Sequence, residues 1–163
     1  MRQPPLQLDR LFFGEVNVKS GSAFSSEPAE AEVKTSVSLS ENKKNERAWQ
    51  ARLEIEVTPK GERQIPYEIR VVAFGQFSVT DEKLDRPHAA QLVAVSGASI
   101  IYSAAREYLT LLTGRGPWGP FQLPTVSFTG VEVALEDQET SGGAPEQARL
   151  KSRRRAPVRR AKK

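Results

Sequence analysis

Residues 97–128, GASIIYSAAREYLTLLTGRGPWGPFQLPTVSF, decide the fold. Ile100, Ile101, Ala104, Ala105, Tyr108, Leu111 and Leu112 recur at spacings of one, three and four, the stripe of an amphipathic helix over about 98–113. Ser103, Arg106, Glu107 and Thr110 fill its other side. Gly114 follows the last stripe residue, where a left-handed C-terminal cap is expected, and Pro117 bars continuation. The chain then stays apolar outside any helix, with Trp118, Phe121, Leu123, Val126 and Phe128 broken by Gly119, Pro120 and Pro124. Loops are normally polar and superficial. This one is either folded down over the core or offers an apolar surface to a partner.

Upstream, alternation predicts four strands. In 8–18, Leu8, Arg10, Phe12, Gly14, Val16 and Val18 are expected on one face and Asp9, Leu11, Phe13, Glu15 and Asn17 on the other. The polar stretch 19–31, with Phe24 as its one aromatic, is too long for a tight hairpin and reads as a crossover at a sheet edge. Val33, Thr35, Val37 and Leu39 mark the second strand. Leu53, Ile55 and Val57, alternating with Arg52, Glu54, Glu56 and Thr58, mark a half-buried third. Tyr67, Ile69, Val71 and Ala73 mark the fourth, with Gly75 read as a bulge before Phe77 and Val79. Pro87 opens a short helical turn over 88–95. VEVALED, 131–137, reads as a short strand or a helix turn. The expected class is α+β, a four-stranded antiparallel sheet with a long and a short helix on one face.

The 163 residues fit one domain with tails: an extension at 1–7, a body at 8–137 and a disordered tail at 138–163. The tail is a separate electrostatic object. Residues 149–163, RLKSRRRAPVRRAKK, carry nine of the 24 Lys and Arg and no acid, leaving 15 basic residues against 20 acidic in 1–148. Arg153, Arg154, Arg155, Arg159 and Arg160 are candidate contacts to nucleic acid or an acidic partner; the plainer reading is a solvated terminus. The absence of cysteine excludes disulfides, zinc–thiolate and iron–sulfur sites and thiol catalysis. Asp9, Arg10 and Glu15 interrupt any signal-peptide core, and no stretch approaches the roughly 18 apolar residues of a membrane span. A cytoplasmic protein is expected.

Catalytic patterns fail on inspection. His88 is the single histidine and has no nucleophile in pattern with it, so it reads as a helix-start or surface residue. Glu54 and Glu56 are alternate positions of one exposed strand face. Gly114, Gly116 and Gly119 have dinucleotide-binding spacing but follow a helix and precede none. No cofactor, metal site or enzymatic activity is expected. What remains is the apolar loop, a candidate groove for apolar peptide segments formed by Phe24, Trp118, Phe121 and Leu123, or else core or oligomer packing.

AREYLTLLTGRGPWGPFQLPTVSF, 105–128, resembles the SecB family of export chaperones. The matching features are Ala105-Arg106-Glu107 in the helix, Arg115-Gly116 at its end, and Pro124, Val126 and Phe128 closing the loop. IPYEIRVVAFGQFSV (65–79) and RLFFGEVNV (10–18) are similar to family strands. The resemblance implies a four-stranded sheet, a long helix and a homotetramer built as a dimer of dimers. It also implies ATP-independent holding of unfolded clients, with Glu15 and Glu68 as partner-docking residues. Lys19 stands near where the family usually has a second acid, and a basic tail replaces the usual acidic one. The implied partner beyond clients is either the SecA motor or the antitoxin of a toxin–antitoxin system. A nucleic-acid-associated module using the tail is the alternative reading.

Overall fold

The computed structural model describes residues 4–21, 30–61, 65–130 and 134–135. Phe24, the whole tail and its five arginines lie outside the described residues. Strands β1 (Leu6–Ser20), β2 (Ala31–Asn42), β3 (Asn45–Pro59) and β4 (Tyr67–Val79) form an antiparallel sheet in the order β1-β4-β3-β2. A two-residue strand, β5 (Ala134–Leu135), adds parallel to β2 at Ser38 and Leu39. The short strand foreseen in 131–137 is therefore present at 134–135. β2, β3 and β4 form a meander, and the long first connection carries the chain from β1 to the opposite edge of the sheet.

β3 alternates as its sequence demands. Trp49, Ala51, Leu53, Ile55 and Val57 are buried on one face of the sheet, the face to which β4 contributes Tyr67, Ile69, Val71, Ala73 and Phe77 beside them. Removing each large apolar side chain from water stabilises the fold by roughly 1.5–3 kcal/mol. β1 departs from strict alternation. Its register against β4 slips between Leu8 and Arg10 and between Phe13 and Glu15. Each slip inserts one residue, Asp9 and Gly14, and reverses which parity faces the core. Leu6, Leu8, Leu11, Phe13, Val16 and Val18 consequently oppose Val79, Phe77, Gly75, Ala73, Val71 and Ile69, all on the core face. The uninterrupted alternation expected for 8–18 is corrected accordingly. Gly75 is not a bulge, for it pairs in register with both Leu11 and Ala51.

The helix is longer than the two separate pieces expected. α1 (Arg86–Leu92) runs through a π-helical turn at Val93–Gly97 into α2 (Ala98–Thr113). Asp85 caps the start, accepting a hydrogen bond from His88 N at 3.0 Å, with Pro87 in the first turn. The buried stripe is Ala89, Val93, Ala94, Ala98, Ile101, Tyr102, Ala105 and Leu109. Ile100, Tyr108, Leu111 and Leu112, expected in that stripe, are exposed instead. The helix is apolar around more than half its girth, so spacing alone could not choose which side meets the sheet. Gly114 ends the helix in right-handed geometry at φ −57°, without the left-handed cap expected there.

Candidate functional site

The segment after α2 folds back along the helix. Leu123 is 1% exposed and Phe128 2%, both in the core, while Trp118, Phe121 and Val126 are partly buried against it. Tyr102 marks the far end of this strip. Its ring meets Phe128 edge-on at 5.7 Å, and its hydroxyl donates to Pro124 O at 2.7 Å. Burial holds the Tyr102 hydroxyl above the usual phenol pKa, so it remains a donor.

Tyr67 anchors the near end. Trp118 N donates to its hydroxyl at 3.1 Å, and that hydroxyl lies 3.0 Å from Gly119 O and 3.3 Å from Thr113 O. A Cβ at Gly116 would stand 2.4 Å from the Tyr67 oxygen, so the backbone there passes closer than any side chain allows. The hydroxyl of Thr113, 2% exposed, accepts from Phe121 N at 2.7 Å while donating to Leu109 O at 2.6 Å. The Trp118 indole N–H reaches across to Gly21 O at 3.0 Å, tying the strip to the beginning of the β1–β2 connection. Of the loop residues singled out in sequence, Trp118 and Phe121 thus lie half-buried at the surface, and Leu123 is buried in the core. Tyr67 and Thr113, which hold them, carry no signal beyond their places in a strand and at a helix end.

The opposite face of the sheet is charged. Arg70 on β4 reaches Glu54 at 2.7 Å, Glu56 at 3.1 Å and Glu15 at 3.5 Å, and Arg52 reaches Glu54 at 2.8 Å. Arg70 and Glu15 are both 47% exposed, so solvent screens much of this attraction. The structure places Glu15 inside this network and leaves Glu68 exposed, opposite Lys19 in the register. On this face Phe12 and Phe74 stack at 5.2 Å. A Cβ at Gly14 would meet the Phe74 ring at 2.7 Å.

Among the described residues two surfaces have little or nothing packed over them. The outward side of α2 presents Ile100, Tyr108, Leu111 and Leu112, with Leu111 69% exposed. Phe13 of edge strand β1 joins this surface by stacking on Tyr108 at 4.8 Å. The other is the edge of β2. Among the described residues no group of His, Asp and Glu is arranged to hold a metal ion, and no helix is long and apolar enough to cross a membrane.

A family model described as preprotein translocase subunit SecB matches residues 1–138. The chain is similar in structure to the Mycobacterium tuberculosis Rv1957 SecB-like chaperone, solved in complex with a ChAD peptide from the Rv1956 HigA1 antitoxin. The TM-score is 0.60 at 16% identity, covering 76% of this chain and 91% of that one. A protein of unknown function from Streptococcus agalactiae gives a TM-score of 0.40 at 7% identity, covering 74% and 97%. No curated protein is significantly similar in sequence.

Proposed function

The chain belongs to the SecB family, and from that membership we propose that it is a cytoplasmic, ATP-independent holdase that captures unfolded polypeptides along the apolar strip 117–128. The observation that carries the reading is the strip itself. Trp118 and Phe121 stand half-buried against the core, held in place by the Tyr67 and Thr113 hydroxyls, and the exposed part of each ring supplies aromatic contact area. Apolar contact is non-directional, which suits a broad client range. Phe24, on the connection that begins at Gly21, is proposed as a further contact.

The outward side of α2 and the adjoining β1 edge are proposed as the self-association surface, leading to a dimer of dimers. An exposed row of Ile100, Tyr108, Leu111 and Leu112 supports burial against a second copy. Oligomerisation would set several strips side by side and slow client release through multivalency. The partner is proposed to be an antitoxin-like client or an export motor, with Glu68 the more available docking carboxylate and Glu15 engaged by Arg70. The alternative, nucleic-acid binding, rests on the tail at 149–163.

Trp118→Ala together with Phe121→Ala tests the strip. The variant is expected to stay folded by circular dichroism and to bind an unfolded client at least roughly tenfold more weakly, as loss of buried aromatic anchors does. Unchanged affinity in the folded variant would remove the strip from the account. Salt separates the alternative, because phosphate contacts weaken steeply with ionic strength and apolar capture does not.

A further inference from the structure

β2 is the outer strand of the antiparallel sheet, and its hydrogen-bonding parity follows from one bond. Lys60 N donates to Glu30 O at 2.9 Å, and Ala31 pairs with Pro59, so Glu30 and Lys60 form a hydrogen-bonded pair. Antiparallel pairs alternate between bonded and non-bonded. Glu32, Lys34 and Ser36 therefore exchange bonds with β3, and Ala31, Val33, Thr35 and Val37 direct their N–H and C=O groups away from the sheet. Among the described residues no strand stands opposite Ala31, Val33 and Thr35, while Val37 borders the parallel bridge of Ser38 with Ala134, through which its C=O faces Ala134 N–H. The same four share the core-side face, opposite Pro59, Val57, Ile55 and Leu53, with Val33 and Thr35 half-buried. Just beyond them, at Ser38 and Leu39, the edge already holds an extended segment, the two-residue parallel strand Ala134–Leu135.

We propose that the outer edge of β2 is a strand-addition site, at which the backbone of an extended client joins the sheet and Ala134–Leu135 is the placeholder it displaces. The argument is one of geometry. An open edge presents donors and acceptors spaced for a strand. This edge carries apolar or β-branched side chains at Val33, Thr35 and Val37, so alternate apolar side chains of an added strand would lie on the core-side face. The chain's own segment demonstrates that a strand seats there, and among the described residues it occupies the edge only at Ser38 and Leu39. Main-chain bonding is independent of sequence, so it adds affinity for any extended segment without narrowing the client range. The inference rests on the client-capture reading and adds to it the backbone as a recognised group.

The test uses the full-length protein and a short synthetic peptide alternating leucine with threonine, labelled for fluorescence anisotropy. Two further versions are N-methylated, one at every leucine and one at every threonine. Only one parity of amides faces β2 in an added strand. One methylated version should therefore bind at least roughly tenfold more weakly than the parent and the other within about twofold, on the scale of one or two lost hydrogen bonds. Equal affinity of the two methylated versions overturns strand addition while leaving side-chain capture standing. A parent peptide that does not bind overturns both. Thr35→Pro deletes an outward N–H without touching the β2–β3 bonds and should weaken the parent roughly fivefold. Ala134→Pro loosens the placeholder and should tighten binding; weaker binding by Ala134→Pro contradicts the placeholder role.

Discussion

The ring of Phe77 fills the space that a side chain on Gly97 would occupy: a Cβ there would stand 3.1 Å from Phe77 Cε2. Gly97 closes the π-helical turn, and Phe77, 1% exposed, is the largest fully buried side chain among the described residues. Gly75 clears the ring from below, since its Cβ would lie 2.5 Å from the same carbon and 3.0 Å from Ile101. Helix and sheet are therefore keyed together by one aromatic ring between two glycines. Gly75→Ala should destabilise the fold by about 1–3 kcal/mol through overpacking, read from chemical denaturation. A variant as stable as the parent would show that the ring has another place to go.

The loop strip hangs on Thr113 as much as on Tyr67. Thr113→Val keeps the shape but leaves Phe121 N without its acceptor. A loss of about 1–3 kcal/mol is expected, with faster amide exchange at Phe121 and Trp118. Exchange as slow as in the parent at both amides would mean that packing, not this hydrogen bond, fixes the loop.

Leu111 is 69% exposed on the apolar side of α2. Leu111→Glu puts a charge in the proposed self-association surface, and the particle mass by light scattering should fall to a smaller species with the helix content intact. An unaltered mass would move the interface elsewhere.

The helix start should be acid-sensitive. Hydrogen bonding from the His88 backbone, then from its ring, holds the Asp85 carboxyl below the usual carboxylate range. A lowered pKa makes the cap's contribution present above the ordinary carboxylate value of about 4 and lost as pH falls through the lowered one. Asp85→Asn keeps an oxygen acceptor and removes the titration. Amide exchange at His88 should accelerate in acid in the parent and remain flat with pH, after correction for intrinsic rates, in Asp85→Asn. Parallel behaviour of the two proteins would remove the cap as the titrating group.

Much of this architecture could be read from residue types. The alternation of Leu53, Ile55 and Val57 placed β3, and the apolar run from Ile100 to Leu112 placed α2. The family followed from Ala105–Phe128, where helix, glycine exit and proline-bounded loop stand together. Three features escaped for physical reasons. The bulges at Asp9 and Gly14 exist only against the register of β4, so a strand read alone looks continuous. The helix face was misplaced because apolar residues cover more than half the girth of α2, and the choice depends on Phe77 and the π-helical turn. Tyr67 and Thr113 act through hydroxyls aimed at backbone groups some 46 to 52 residues or 8 residues away in sequence, contacts that spacing does not encode.

The most direct test of the central claim is aggregation suppression. A chemically unfolded client is diluted into buffer without nucleotide, at low and high salt, and light scattering is followed with and without the full-length protein. The account predicts suppression at near-stoichiometric ratios that persists at high salt. Scattering unchanged by the protein, or suppression that vanishes with salt, would contradict capture by the apolar strip.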